Sequence, residues 1–352
     1  MRKDRIAFLR KLVETPSPSG FEQPVQKIIR AEMKKHSSEV RTDVHGNVIG
    51  IVNPDADFRI MLAGHCDEVG MMVMNIDDNG YIYSSAIGGV DVGIVPTHRV
   101  LIHSEKGPVL GAFGRRAIHL ARHDDASKSG KLHDLWIDIG AKNKKEAEKL
   151  VSIGDPITFA AEFSEMRNNL AIARGFDDKV GSFVVVETLR LLKGKTLPCG
   201  VYGVSTVQEE LGLRGARTSA FGIDPQVGIA IDVTHATDYP KCNKNVGGDI
   251  RLGKGPVLHR GANINPALGD LLINTAKRKR IPYQMSGAPS GTGTDANVIQ
   301  LTRAGVAAGL ISIPNRYMHT PVEMVSLADL DNAAKLLAAV IEQLSPKMDF
   351  TP

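Results

Sequence analysis

Aromatic residues are scarce in this 352-residue chain. They make up 5% of it, with one tryptophan, Trp136. So few rings leave little surface on which a sugar would stack, which argues against a glycosidase even though that chemistry also uses paired acids. Cysteines number three, Cys66, Cys199 and Cys242, widely spaced. An odd, scattered set does not build a disulfide framework and fits a reducing compartment. No apolar run approaches the length of a membrane span. The first residues, Met1-Arg-Lys-Asp-Arg-Ile-Ala-Phe-Leu9, hold too short an apolar stretch for a secretory signal and carry an acid within it. The expectation is a cytoplasmic protein with no membrane partner. Charge of one sign is not in excess either: the formal net charge is +4. The longest basic cluster, Lys277-Arg-Lys-Arg280, closes an amphipathic stretch and reads as a helix C-terminus, so no nucleic-acid partner is expected.

What is present is a globular composition, 42% hydrophobic and 23% charged. The length suits one large domain or two ordinary ones. Helical spacing is expected from Ala7 to Leu12 and from Pro24 to Lys35. Residues 39–52 alternate around a turn at His45-Gly46-Asn47, and Phe58 to Gly64 reads as a buried strand ending at His65. Near Met71 the texture changes to short β-rich pieces divided by glycines, which suggests a small barrel or sandwich interrupted by a helix-like piece from Lys144 to Val151. After Asn168, long strands and helices alternate. Helices are expected over 180–192, 266–279 and 327–344, and strands over 200–207, 227–231 and 307–313. The simplest architecture is an α/β domain, residues 1–70 and 164–352, split by an inserted β domain, residues 71–163.

Gln208-Glu209-Glu210-Leu211-Gly212 follows the strand 201–207. Two adjacent carboxylates resist joint ionisation unless a cation takes one or a proton stays on the other. That suggests a division of labour, one acid holding a metal and its neighbour moving a proton. Alone, such a pair is as ordinary as any solvated loop. Its companions give it weight. His65-Cys66-Asp67-Glu68 follows the first buried strand, and in His-x-Asp the histidine can bind a metal while the Asp accepts its other ring N–H. Asp177-Asp178 opens a helix, Asp232 ends the strand 227–231, and His319 lies in the loop after the strand 307–313. In an open α/β sheet these places meet on one rim, at the carboxyl ends of the strands. Two histidines with several carboxylates suit zinc, and also cobalt or manganese.

The stretches Ser19-Gly-Phe-Glu22, Gly64-His-Cys-Asp-Glu-Val-Gly70, Phe176-Asp-Asp-Lys-Val-Gly181, Gln208-Glu-Glu-Leu-Gly212, Asp232-Val-Thr-His235, Gly293-Thr-Asp-Ala296 and His319-Thr-Pro-Val-Glu323 run through nearly the whole chain. In this order the chain resembles the M42 metallo-aminopeptidases, the group that includes tetrahedral and glutamyl aminopeptidases. The resemblance implies a zinc-exopeptidase, three-layer α/β domain with a small inserted β-barrel-like domain. It implies two divalent ions, zinc or cobalt ahead of manganese, bridged by Asp177. His65 and Asp232 would complete one site, Glu210 and His319 the other. Glu209 would be the general base and Asp67 would orient His65. Short peptides would be the substrate, and the insert would serve assembly into dimers or dodecamers. Arg214, His235, Gly293 and Thr294 are the expected substrate contacts.

Lys179 stands where the family usually has Arg, which would turn a bidentate grip into a point charge. Cys66 reads as a small buried residue beside the site. Gly291-Thr-Gly293-Thr-Asp-Ala296 fits a dinucleotide-binding pattern, but no acid follows at the needed distance. His119 and His123 have helical spacing without the glutamate of a zinc-protease helix. Two other readings keep the same residues: a related two-metal enzyme acting on N-acylated amino acids, and an assembly protein with a degenerate site.

Overall fold

The computed structural model describes residues 1–120 and 131–352; His123 lies outside them. Its centre is an eight-stranded mixed sheet. In spatial order the strands are Glu39–Thr42, Val48–Val52, Gly200–Thr206, Arg59–His65, Val227–His235, Ala307–Asn315, Val257–Gly261 and Gln284–Ala288. The four central strands, Gly200–Thr206 through Ala307–Asn315, are mutually parallel. Val48–Val52 and Val257–Gly261 flank them antiparallel.

Strands buried on both faces need apolar residues at every step. Gly200–Thr206 is buried throughout. Along Arg59–His65, Ile60 and Leu62 face one core while Met61 and Ala63 face another, as the two-residue period of a strand requires. The first core is closed by helices Lys3–Glu14, Gln23–Met33, Phe176–Leu192, Pro266–Lys279 and Leu327–Ile341. The second is closed by Arg214–Ile223 and the short Ala296–Ile299. Helix–sheet–helix layering is thus the fold class read from the sequence.

A second sheet closes on itself as a six-stranded barrel: Gly70–Ile76, Ile82–Ile87, Ile137–Asp138, Gly107–Phe113, Arg99–Ser104 and Pro156–Phe159. It has its own core, centred on Met71, Val100, Ile102, Ile137 and Ile157. A three-stranded sheet, Ser164–Glu165, Leu170–Ala173 and Glu323–Ser326, joins the return of the chain to its last helix.

Several elements differ from the sequence reading. The strand expected to stop at Ile231 runs on to His235, because Val233, Thr234 and His235 pair with Ile313, Pro314 and Asn315. Asp232 therefore sits inside a strand rather than after it. The helix expected over 144–151 is a single turn, Lys144–Ala147. Among the described residues no helix is long and apolar enough to cross a membrane, and the three cysteines are free.

Candidate active site

The four central strands end side by side, and their loops carry the acids and histidines. His65 is the last residue of Arg59–His65, level with Thr206 on the neighbouring strand. Glu209 and Glu210 follow that neighbour, Asp232 lies on the next strand over, and His319 follows the fourth. Asp177 and Asp178 open the helix Phe176–Leu192, joined by a cis peptide bond.

This helix comes unusually near the His65 strand. A Cβ on Gly64 would lie 2.4 Å from the Gly181 carbonyl carbon, so the missing side chain at Gly64 makes the contact possible. Ser182 Oγ donates to the Gly64 carbonyl at 2.9 Å, and the His65 N–H donates to Asp178 Oδ2 at 3.2 Å.

Asp177 presents one oxygen to each imidazole: Oδ1 is 3.2 Å from His65 Nε2, and Oδ2 is 3.2 Å from His319 Nε2. Asp232 Oδ1 lies 3.9 Å from His65 Nε2, and Glu210 Oε1 lies 3.5 Å from His319 Nε2. Glu209 Oε2 approaches His65 Nε2 at 3.8 Å. The six residues that the sequence placed at separate strand and helix ends thus form one cluster. Both imidazoles turn Nε2 inward. Their Nδ1 atoms face backbone carbonyls, His65 that of Asp67 at 3.0 Å and His319 that of Gly89 at 2.8 Å. A carbonyl only accepts, so each Nδ1 carries the proton.

Asp67 does more than was expected of it. Its side chain lies 3.4 Å from His65 Nδ1, but its oxygens accept the backbone N–H groups of Glu209 at 3.0 Å and Glu210 at 3.2 Å, and the Ser19 hydroxyl at 2.6 Å. It therefore holds the acidic loop as well as the histidine. Glu323 acts similarly from the far side. Buried, it takes the Asp177 N–H on one oxygen and the His319 N–H on the other, each at 2.9 Å.

The electrostatics are those of too many acids in too little water. Burial pushes Glu209, Glu210 and Asp232 upward, against the pull of His65. Burial would also raise Asp177, but hydrogen bonds to His319 and His65 hold it below the usual carboxylate range. The bond to Asp177 lifts His319 to about 9. Glu210 Oε1 is buried without a hydrogen-bond donor. An orphaned carboxylate oxygen among buried acids, opposite two inward imidazole nitrogens, is a donor set that fits divalent cations. Ligand atoms of His65, Asp177 and Glu210 lie within 4.8 Å of one another, as do those of His65, Asp178 and Asp232. Asp178 is the weaker donor of that second group, because its oxygens already accept N–H groups from His65 and Gly181.

The expected substrate contacts are not drawn into this cluster. Arg214 is exposed and donates to Gln208, and His235 is exposed at its strand end. Among the described residues neither bonds to the acids. Gly293 is exposed and Thr294 buried, bonded to Thr292. Their neighbour Asp295 does reach the rim: one oxygen accepts the Thr206 hydroxyl at 2.6 Å, and the other is buried without a partner. Lys179 lies buried beneath the site, 2.8 Å from Glu68 Oε1, with Arg174 on the same carboxylate. These charges hold Glu68 down at about 2, while burial lowers Lys179 to about 8. Cys66 is buried, its thiol raised by burial. A cavity of about 720 Å³ lies at the opposite, amino ends of the strands, and among the described residues no acidic or basic side chain lines it.

Sequence reasoning passed over Asp178, Glu323, Ser19 and Asp295 as site residues, though all sit in the stretches that carried the resemblance. Their signal is an acid or hydroxyl beside a stronger candidate. What each touches depends on the fold.

The chain as a whole is similar to known proteins. A family model described as M42 glutamyl aminopeptidase matches residues 46–336. A lysyl aminopeptidase from Pyrococcus furiosus is 39% identical over 98% of this chain and 99% of its own. The crystal structure of a TET aminopeptidase from a marine sediment archaeon of the Thaumarchaeota superposes with a TM-score of 0.94 at 36% identity, covering 98% of both chains. A Pyrococcus horikoshii TET1 peptidase, which can assemble into a tetrahedron or a large octahedral shell, has a TM-score of 0.87 at 31% identity, over 97% of this chain and all of its own.

Proposed function

The chain belongs to the M42 glutamyl aminopeptidase family, and from that premise we propose that it hydrolyses the N-terminal peptide bond of short peptides with two divalent cations, zinc or cobalt ahead of manganese. The observation that carries this is Asp177, one oxygen toward each inward imidazole. His65 and Asp232 would hold one cation with it, Glu210 and His319 the other. Such cations supply a Lewis acid for the scissile carbonyl and lower the proton affinity of water.

The chain's own groups do the rest. Glu209 holds no cation in this scheme; it takes the proton of the attacking water and returns it to the leaving amine. Asp67 fixes His65 and the backbone of both glutamates, so base and ligands keep one spacing. Surplus carboxylates at the rim attract a free α-ammonium group, which favours a substrate with an unblocked N-terminus. Gly293 and Thr294, joined to the rim through Asp295, remain the assigned substrate loop, with Arg214 and His235 as outer contacts. The barrel is assigned to self-association, as dimers or dodecamers, in keeping with the assemblies of the Pyrococcus horikoshii relative. The free cysteines support a cytoplasmic location.

The test is a panel of glutamyl, lysyl and leucyl anilides and their N-acetylated counterparts. Each is assayed after chelation and again during stepwise return of zinc, cobalt or manganese. Only unblocked substrates should be cleaved, with full activity at two cation equivalents. Preferential cleavage of N-acetylated amino acids, or indifference to chelation, would overturn the proposal.

A further inference from the structure

We propose that the Gly88-Gly89 loop of the barrel is a positioning element of the catalytic centre, its Gly89 carbonyl fixing His319 with Nε2 free for a cation. The inference rests on the cation-binding reading above and assigns the barrel a part in catalysis besides assembly. The loop follows the barrel strand Ile82–Ile87 and crosses to the rim of the other sheet. There Gly89 O lies 2.8 Å from His319 Nδ1, a bond between residues 230 apart in sequence.

The approach leaves no room for side chains. A Cβ on Gly89 would lie 3.1 Å from His319 Nδ1, tighter than ordinary contact. A Cβ on Gly88 would lie 3.0 Å from Val69 Cγ1 and 3.3 Å from Glu210 Cβ, and its φ of +73° is a conformation that other residues adopt reluctantly. The loop thus abuts both residues assigned to the second cation, His319 and Glu210, while His65 donates its equivalent bond to the Asp67 carbonyl within the α/β domain. The two cation positions differ in this respect: one is braced from inside its own domain, the other from the barrel.

The barrel is seated firmly enough to act as a brace. Its His103 stacks on Phe21 of the N-terminal loop, with ring centres 5.8 Å apart and planes inclined by 21°. A Cβ on Gly70, the first barrel residue, would meet the Ile157 carbonyl at 2.8 Å and Pro18 Cβ at 3.0 Å, and Pro18 itself pairs with Glu68 beside the site. Partners that orient a metal-binding histidine typically govern affinity or activity by 10–100-fold.

The test compares the full-length wild-type protein with Gly89→Ala and with a barrel control, Glu105→Ala, on an exposed turn. Stripped protein is titrated with cobalt and followed by visible absorption and bound-metal analysis, with particle size measured in parallel. In Gly89→Ala the second equivalent should bind about 10–100-fold more weakly, with the first equivalent, the particle size and the control unchanged. Two equivalents bound as in the wild type would overturn the proposal. So would equal weakening of both, which would mark a loop needed only for folding. A wild-type protein that takes up no cation would overturn the functional reading and this inference with it.

Discussion

Glu209 and Glu210 are chemically identical neighbours that the structure makes unlike. Glu210 Oε1 faces His319 at 3.5 Å and has no hydrogen-bond donor, the situation of a ligand. Glu209 lies 3.8 Å from His65 Nε2, and burial raises its proton affinity further than that of Glu210, to about 10 against about 7, which suits the base role assigned to it. Glu209→Gln should therefore lower kcat by about 10²–10⁴-fold while two cation equivalents remain bound. Steady-state kinetics alongside bound-metal analysis would check this, and wild-type turnover by the variant would refute the assignment. The pair as such was legible in the sequence, since adjacent acids after a buried strand are conspicuous. Lys179 was legible only as a departure from Arg. That its ammonium is spent on Glu68 and the Thr15 carbonyl, beneath the site rather than in it, follows from packing alone.

Among the elements, the strand ending in His65 and the helix opening with Asp177 decide the spacing of the centre. They meet at Gly64 and Gly181, backbone against backbone. Gly64→Ala would place a methyl group 2.4 Å from the Gly181 carbonyl carbon, and the two elements would have to part. Overpacking of this kind costs about 1–3 kcal/mol. The denaturation midpoint should fall accordingly, and cation affinity should fall with it, because His65 and Asp177 move apart. A variant with the wild-type midpoint would show that this contact is slack. Helix Pro266–Lys279 was readable end to end, because Pro at its start, the Asn265 cap and the closing basic residues are local signals. The extra residues of the Asp232 strand were not. They are strand because Ala307–Asn315 offers them partners, which no local pattern encodes.

For the molecule as a whole, the crowded acids predict how stability depends on pH and metal. Burial raises Glu22, beside Asp67, from 4.5 to about 7, and raises Glu209, Glu210 and Asp232 in the same direction. A carboxyl with a raised folded-state pKa holds its proton where the unfolded chain has lost it. The stability it contributes is full below about pH 4.5 and declines as the pH rises, until about 7 for Glu22 and Glu210 and about 10 for Glu209. Metal-stripped protein should accordingly melt at a lower temperature at about pH 8 than at about pH 5.5. Cations, which need the ionised ligands, should reverse the order by stabilising most at the higher pH. Calorimetry of stripped and reloaded protein at both values reads this directly. A stripped protein equally stable at both would show that the acids are not crowded.

One dimension was enough for the layered α/β architecture, the texture break at the barrel and a list of acids and histidines that the fold then brings together. Buried strands, helix caps and acids at strand ends are written in neighbouring residues, and the parallel sheet brings its strand ends to one rim wherever the loops lead. One dimension was not enough to show that Asp67 grips the backbone of the acidic loop, that Glu323 spans 146 positions to bind the Asp177 N–H, or that a barrel glycine braces His319. Those bonds run between side chains and main-chain groups that carry no residue-specific signature. They exist because close packing leaves each buried donor one acceptor within reach.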